Sequence, residues 1–270
     1  MFIEPINTTK DSLELVGGKG RSLARMTNAG FDVPGGFLVT ADTYRAFIAE
    51  NNLQSQILES ASPELRDGYP VFDACAEKIR ALIMSRSIGD AMSADIKAAY
   101  SKLHQEPISV AVRSSANAED LPDFSFAGQQ ETFLNVSGEE EVVVAVQKCW
   151  ASLWTAQAIS YRHQNGIDQG VVAMAVVVQV MIPSDVSGIL FTANPATGER
   201  SEMIVNASFG LGEAVVGGQV TPDTFIIDRT DMSLKETVLG PKEQQIVCDD
   251  SQGIRMEDVA EGDRTNASLS

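Results

Sequence analysis

Residues 110–136 constrain the fold of this chain more than any other stretch. Residues 110–112 form an apolar run that predicts a buried strand, and Arg113 and two serines follow it directly. A cation followed by hydroxyl and backbone N–H donors suits an anion. Alternating side chains at residues 132–136 predict a second strand. We interpret the stretch as strand, donor-rich flap and strand, a layout that can cover nucleotide phosphates. The alternative is a β-hairpin with an ordinary polar loop.

The composition allows a sizeable core and argues against two classes of partner. The 270 residues are 44% hydrophobic, which is enough for one large domain or two small ones. The formal net charge is −17, whereas nucleic acid and anionic membranes are bound by basic surfaces. Acidity does not exclude ATP, because salt screens charges beyond about 8 Å and a few local cations can dominate a site.

The cysteines and the N-terminal residues indicate a soluble cytoplasmic protein. Cys75, Cys149 and Cys248 are far apart and outside any C-x-x-C spacing, which argues against a disulfide framework or a zinc site. The first 15 residues lack the basic and apolar segments of a signal peptide. No apolar run approaches the roughly 18 residues that a membrane-spanning helix needs.

A glycine-rich turn, Gly17-Gly18-Lys19-Gly20, precedes a predicted helix over residues 21–29, with Gly30 as its C-terminal cap. Such a turn can bind phosphate at the start of a helix. It is not a Walker P-loop, because Leu13 stands at the first glycine position and Gly20 at the Ser/Thr position. The alternative is a helix entry with a surface lysine.

Apolar periodicity predicts a mixed arrangement of helices and strands. Amphipathic helices are expected over residues 41–50, twice within 72–104, and once over 139–164. Strands are expected over residues 173–182, 186–191, 203–207 and 223–228.

Three polar residues within these elements need an interpretation. His104 and His163 lie at predicted helix ends without a neighbouring nucleophile or metal ligand, so both are interpreted as solvated side chains. Gln179 interrupts the β-branched run at 173–182 and needs a partner or a task, because buried polar groups are normally paired. From the residues alone, a satisfied core amide is the favoured interpretation of Gln179.

Several motifs together resemble the N-terminal nucleotide-binding domain shared by phosphoenolpyruvate synthase, pyruvate phosphate dikinase and rifampicin phosphotransferase. The similarity extends from about residue 12 to residue 240. The segments that carry it are G-G-K at 17–19, V-P-G-G-F at 33–37, residues 110–136, G-I-L-F-T-A-N-P at 188–195 and G-L-G-E-A-V-V-G-G at 210–218.

The resemblance implies an α+β fold, an ATP-grasp-like two-subdomain nucleotide-binding fold. Its domain would cover residues 1–240, with subdomains of roughly 1–108 and 109–240, and residues 241–270 would be a polar linker or frayed end. The residues that the resemblance assigns to ATP are Lys19 and Arg113 at the phosphates, Gly128 and Thr132 in the flap, and Gln179 beside the adenine. It implies no catalytic residue and no metal ligand in this chain.

The resemblance also implies what a complete enzyme would contain. In that family the domain ends with a glutamate and a Q-S-R-P segment, and a mobile domain carries a phosphohistidine in a T-x-H motif. Neither segment occurs in these 270 residues, so the domain is expected to be truncated at its C-terminus and inactive alone.

The implied function is that of a pyruvate, water dikinase, with Mg²⁺ expected in the complete enzyme. ATP would donate its β-phosphate to a histidine on a separate domain, and pyruvate or another acceptor would bind elsewhere. Two alternatives stay open. One is the ATP-binding domain of a rifampicin phosphotransferase, and the other is a stand-alone ATP-binding subunit with a separate phosphohistidine partner.

Overall fold

The computed structural model describes residues 2–8, 10, 12–117 and 131–269. Helices and strands are mixed along the chain, as predicted. Contacts divide the chain into two compact units, Met1–Met181 and Ile182–Ser270. The predicted division near residue 108 differs from this boundary, because strands that follow residue 108 complete the sheet of the first unit.

The first unit combines a central sheet with helices. Its helices are α1 (Leu13–Asn28), α2 (Ala41–Glu50), α3 (Gln54–Ser60), α4 (Asp73–Met84), α5 (Asp90–Ser101), α6 (Glu139–Ser152) and α7 (Ala156–Gln164). Its strands are β1 (Ile3–Pro5), β2 (Gly36–Val39), β3 (Glu64–Arg66), β4 (Tyr69–Val71), β5 (Val110–Ala116), β6 (Thr132–Val136) and β7 (Met174–Val180).

The main sheet of the first unit has the order β1-β2-β7-β5-β6, and each neighbouring pair is antiparallel. β7 lies at the centre, between β2 and β5. Its valines at 176–178 are fully buried, which explains why apolar side chains occupy both alternating positions rather than one. β3 and β4 form a separate hairpin.

The two faces of this sheet are covered differently. Val112 and Val178 face a large core that includes Trp150 of α6. Val177 and Leu38 face the other way and pack with Val16 of α1, since successive side chains on a strand point to opposite faces. α1 therefore covers the sheet face opposite the large core, and that face is called the α1 face below.

Some helices of the first unit follow the predictions and others differ, since α1 begins earlier than predicted and α3 was not predicted. α2, α4 and α5 form where amphipathic patterns predict them. The single helix predicted over residues 139–164 is wrong, because α6 and α7 are separate helices. Thr155 is extended, at φ −69° and ψ 153°, and its side chain accepts a hydrogen bond from the Ala158 N–H. That cap begins a new helix instead of continuing the old one.

The second unit is built on a four-stranded antiparallel sheet. The sheet has the order β11-β10-β9-β8, from strands β8 (Val186–Phe191), β9 (Glu202–Phe209), β10 (Asp223–Asp228) and β11 (Leu234–Val238). The short helix α8 (Glu213–Val216) packs on β8 and β9. The predicted strands at 186–191 and 223–228 match their observed bounds.

Residues 241–270 were expected to be a linker or frayed end, and the structure differs. They contain the hairpin of β12 (Gln244–Cys248) and β13 (Ile254–Asp258) and the short helix α9 (Glu261–Arg264). A buried ion pair ties them to β10: Lys242 Nζ lies 2.5 Å from Asp223 Oδ1, and both side chains are fully buried. Asp223 Oδ2 also accepts hydrogen bonds from the Ser268 N–H and hydroxyl.

Two further observations concern the chain as a whole. Within the described ranges, no helix combines the length and apolar character needed to cross a membrane. Cys75, Cys149 and Cys248 are all free thiols.

Candidate functional site

The glycine-rich turn lies inside α1 rather than before it. α1 begins at Leu13, but Gly17 has φ +68° and ψ 179°, which interrupts the helical conformation. This backbone region is essentially restricted to glycine. The surroundings impose the same restriction, because a Cβ on Gly17 would lie 2.0 Å from the Ser115 carbonyl oxygen. The sequence therefore needs glycine at this position for two independent reasons.

Ser115 of β5 bridges the interruption in α1. In a regular helix the Gly20 N–H donates to the Val16 carbonyl, four residues earlier. Here the Ser115 hydroxyl accepts from the Gly20 N–H at 3.1 Å and donates to the Val16 carbonyl at 2.8 Å. Ser115 is fully buried. The turn that carries Lys19 is thus fixed to the strand that carries Arg113.

The two serines after Arg113 do not act as the anion donors that the sequence suggested. The Ser114 hydroxyl donates to the Glu131 carbonyl at 3.0 Å, and the Ser115 hydroxyl donates to Val16 as described above. A hydroxyl has only one proton to donate. Both protons are used within the protein, so the two serines hold the backbone in place.

Lys19 is half-buried, in the turn between Gly17 and Gly20. Its ammonium charge interacts electrostatically with the buried thiol of Cys149 on α6. Burial raises the pKa of Cys149 far above its ordinary value, the Glu131 carboxylate adds to the increase, and the Lys19 ammonium opposes it. Lys19 and Glu131 therefore both act electrostatically on the region where β5 meets α6.

Arg113 lies within β5 and not at its end, which corrects the prediction that the strand stops there. The strand continues to Ala116 because β7 pairs with it along its whole length. Arg113 is two residues before Ser115, so both lie on the α1 face. Among the described residues, none forms a hydrogen bond or ion pair with the half-buried Arg113 guanidinium.

Thr132 is the direct neighbour of Arg113 on β6, because the Cα atoms of the two residues are paired in the sheet register. Directly opposed residues of antiparallel strands project to the same face, so Thr132 also lies on the α1 face. It is half-buried. Gly128, the other predicted flap residue, lies outside the described residues.

Gln179 lies on β7, on the α1 face, two positions beyond the residue paired with Arg113. It is 8% exposed, and its side-chain amide donates to the Pro34 carbonyl at 3.2 Å. It is paired with Gly36 of β2, where a Cβ would lie 2.9 Å from the Gln179 Cα atom. The contact to Pro34 satisfies one amide proton, as the core-amide interpretation requires, and a role beside adenine stays a prediction.

The structure therefore brings four of the five predicted residues to one face of one sheet. Arg113, Thr132 and Gln179 come from three adjacent strands, and Lys19 comes from the helix that packs on two of them, β5 and β7. The contribution that sequence reasoning missed is the bridge made by Ser115. The only signal for it in the sequence is a hydroxyl two residues after Arg113.

A separate cavity of about 750 Å³ lies between α4, α6 and β6. Its lining includes an ion pair between Arg80 and Glu131, with 2.9 Å between Nη2 and Oε1. The Lys148 ammonium lies 5.6 Å from the centre of the Phe133 ring in the same cavity. None of the four described site residues lines it. The lining also contains the carboxylates of Asp73, Glu77 and Glu131, so the cavity is less suited to a polyanion than the α1 face.

The described residues offer no obvious metal centre. No group of three or more His, Cys, Asp or Glu side chains is placed to hold an ion among them. The α1 face contributes cations and a hydroxyl. These residues do not fit a magnesium site by themselves.

Comparison with known proteins identifies the class to which this fold and site belong. Residues 13–270 match the model of a family described as pyruvate phosphate dikinase, AMP/ATP-binding domain. The chain belongs to this family. The resemblance inferred from the motifs is confirmed.

The relatives are named as phosphoenolpyruvate synthases. Phosphoenolpyruvate synthase of Pyrococcus furiosus is 42% identical, over 91% of this chain and 34% of the relative. The Aeropyrum pernix enzyme of the same name is 44% identical, over 89% of this chain and 30% of the relative. A probable phosphoenolpyruvate synthase of Archaeoglobus fulgidus is 44% identical, over 92% and 33%. The chain spans about a third of the length of these relatives.

Proposed function

We propose that this chain is the ATP-binding domain of a phosphoenolpyruvate synthase, a pyruvate, water dikinase. The observation that supports this most is the attachment of the glycine turn to β5, which holds the segments bearing Lys19 and Arg113 on one sheet face. The choice of ATP as the ligand rests on membership of a family described as an AMP/ATP-binding domain. The ATP-grasp type of fold and a cytoplasmic location are parts of the same proposal.

Lys19 and Arg113 would bind the phosphate groups of ATP. Lysine supplies a compact charge on a flexible stem, and arginine supplies a planar fork that matches phosphate oxygens. Each charged hydrogen bond contributes about 1.5–3 kcal/mol. Thr132 would add a hydroxyl next to Arg113, and Gln179 would lie beside the adenine.

In the complete enzyme, the bound ATP would pass its β-phosphoryl group to a histidine on a separate domain. Pyruvate, bound elsewhere, would be the final acceptor. Phosphoryl transfer depends mainly on positioning and on neutralising charge, and both tasks fall to Lys19 and Arg113 in this chain. Mg²⁺ would accompany ATP with ligands beyond the described α1 face.

Two alternatives use the same ATP-dependent phosphoryl transfer but differ in the acceptor or in where the histidine lies. A rifampicin phosphotransferase would use the same domain with a different acceptor, and a separate subunit would present the histidine in trans. The names of the relatives favour phosphoenolpyruvate synthase.

Calorimetric titration of the 270-residue chain with ATP and Mg²⁺ tests the proposal. We expect binding by the wild type and a loss of about 10- to 100-fold in Lys19→Ala and in Arg113→Ala, at about 1.4 kcal/mol per tenfold. Lys148→Ala is the matched control, because it removes an exposed cation from the separate cavity. Unchanged binding in both site variants would contradict the proposal. A loss confined to Lys148→Ala would move the phosphate site to the cavity.

A further inference from the structure

One hydroxyl joins two segments that are distant in the sequence. The Ser115 Oγ atom accepts from Gly20 and donates to Val16, the two groups that flank the Gly17-Gly18-Lys19 segment on α1. It therefore contacts the turn on both sides of Lys19. β5 also carries Arg113 two residues earlier on the same face.

We propose that Ser115 is a positioning residue that sets the location of Lys19 relative to Arg113 at the phosphates. This inference rests on the proposed binding of ATP by the α1 face. Ser115 itself has no donor left for a phosphate, so it acts through Lys19 and not by contact with the nucleotide.

The packing around the turn explains why a serine hydroxyl fits. A Cβ on Gly17 would lie 2.4 Å from the Ser115 Oγ atom and 2.0 Å from the Ser115 carbonyl oxygen, so the turn lies directly against this residue. The bridge also needs one atom that accepts and donates at the same time, which a hydroxyl does. Alanine at position 115 would leave the Gly20 N–H and the Val16 carbonyl without this partner in a buried site.

The hydroxyl of the preceding serine serves a different purpose. Ser114 projects to the other side of β5 and donates to the carbonyl of Glu131, the residue just before β6. The two adjacent serines therefore have different partners. Ser114 is hydrogen-bonded to the segment that begins β6, and Ser115 is hydrogen-bonded to the Gly17–Gly20 turn that carries Lys19, called the lysine turn below. The role proposed for Ser115 does not extend to Ser114.

A double-mutant cycle tests the proposal on the whole 270-residue chain. The ATP dissociation constant is measured with Mg²⁺ for the wild type, Ser115→Ala, Lys19→Ala and the double variant. We expect Ser115→Ala alone to weaken ATP binding about tenfold. In the Lys19→Ala background the same substitution should weaken it less than twofold, because the lysine that it positions is gone. Additive effects, or an unchanged dissociation constant in Ser115→Ala, would overturn the proposal.

Controls separate positioning from general loss of stability. Ser152→Ala removes another fully buried hydroxyl, one that donates to the Cys149 carbonyl at 2.7 Å, and should leave ATP affinity unchanged. Adenosine, which has no phosphate, should bind Ser115→Ala as it binds the wild type. An equal loss of ATP and adenosine affinity in Ser115→Ala would also overturn the proposal.

A second variant covers the case in which Ser115→Ala does not fold. Ser115→Cys keeps an atom near the bridging position but offers only a weak donor and acceptor, so we expect a loss of ATP affinity between those of the wild type and Ser115→Ala. Affinity equal to the wild type in folded Ser115→Cys would argue against a role for the bridge. Failure of the wild type to bind ATP would instead overturn the proposed function.

Discussion

At the residue scale, Gly17 is the position where the site is least tolerant of change. Gly17→Ala should destabilise the chain by about 2–5 kcal/mol, from the strain of a glycine-only backbone conformation and the overlap of a new Cβ with Ser115. ATP binding should weaken with it, because the turn that carries Lys19 must move. Urea denaturation and ATP titration of the variant measure the two effects.

Gly30 provides the matched control for Gly17. It also has a positive φ, at +86°, but a Cβ there would meet no atom within 4 Å. Gly30→Ala should therefore cost only the conformational strain, about 1–2 kcal/mol, and leave ATP affinity unchanged. Equal destabilisation in the two alanine variants would show that the contact with Ser115 is unimportant.

The buried pair of Asp223 and Lys242 is the second sensitive position at this scale. Asp223→Asn leaves the fully buried Lys242 ammonium without its counter-charge, which should destabilise the second unit by about 3–5 kcal/mol. Asp250→Asn, an exposed carboxylate in the same region, serves as the control. Urea denaturation curves that superimpose for the two variants would contradict the structure of this pair.

The same pair predicts how stability depends on pH. Burial alone raises the pKa of Asp223, but hydrogen bonds from Lys242, Ser268 and Gly240 outweigh it and hold the pKa below its ordinary value. A depressed folded-state pKa adds stability above the unfolded-state value of about 4, and this is lost as the pH falls through the folded-state value. In an acid titration, the free energy of unfolding should therefore fall less steeply below about pH 4 in Asp223→Asn than in the wild type.

At this scale the sequence offered candidate site residues but not their supports. Lys19 and Arg113 stand in short local motifs that resemble a known family, and their assignment to ATP stays a prediction. The bridge by Ser115 depends on a contact between α1 and β5, which no local pattern contains. For the same reason, the serines were assigned to an anion when their hydroxyl protons are used within the protein.

At the scale of elements, the break between α6 and α7 depends on one cap. Thr155→Ala removes the acceptor for the Ala158 N–H and should cost about 0.5–2 kcal/mol. Thermal unfolding of Thr155→Ala beside Gln157→Ala, an exposed site on the same helix, checks this. If Gln157→Ala is destabilised as much as Thr155→Ala, the hydrogen bond to Ala158 does not stabilise the start of α7.

Elements with strong periodicity were predicted well, and those set by tertiary contacts were not. β8, β10 and α2 have the bounds that alternation or helical spacing indicates. Apolar spacing continues across the break at Thr155, because Leu153 and Trp154 are buried there although they are not in a helix. The hairpin of β12 and β13 was missed, since β12 shows no alternation of polar and apolar residues and most side chains of β13 are exposed.

At the scale of the whole molecule, the proposed function predicts an effect on histidine phosphorylation as well as on ATP affinity. In a complete enzyme that contains this domain, Lys19→Ala or Arg113→Ala should abolish labelling of the histidine by β-phosphate-labelled ATP. The positions of both cations on the α1 face are the reason. Retained labelling in a folded variant would contradict their assignment to the phosphates, and Lys148→Ala should label as the wild type does.

The boundary between the two compact units could not be predicted from the sequence motifs. The boundary between the two compact units follows β7, although the motifs suggested a boundary before β5. The motifs were recognised by residue types along the chain, whereas the compact units follow strand pairing. β5 belongs to the first unit because it pairs with β7 over seven residues.

The hydrogen bond between Gly20 and Ser115 joins residues that are 95 positions apart in the chain. Closing so long a loop has an entropic cost that must be met before the contact can stabilise anything. The lysine turn therefore acquires its final shape only after β5 has been placed beside α1. During refolding, competence to bind ATP should arise with assembly of the sheet and not with the early formation of α1.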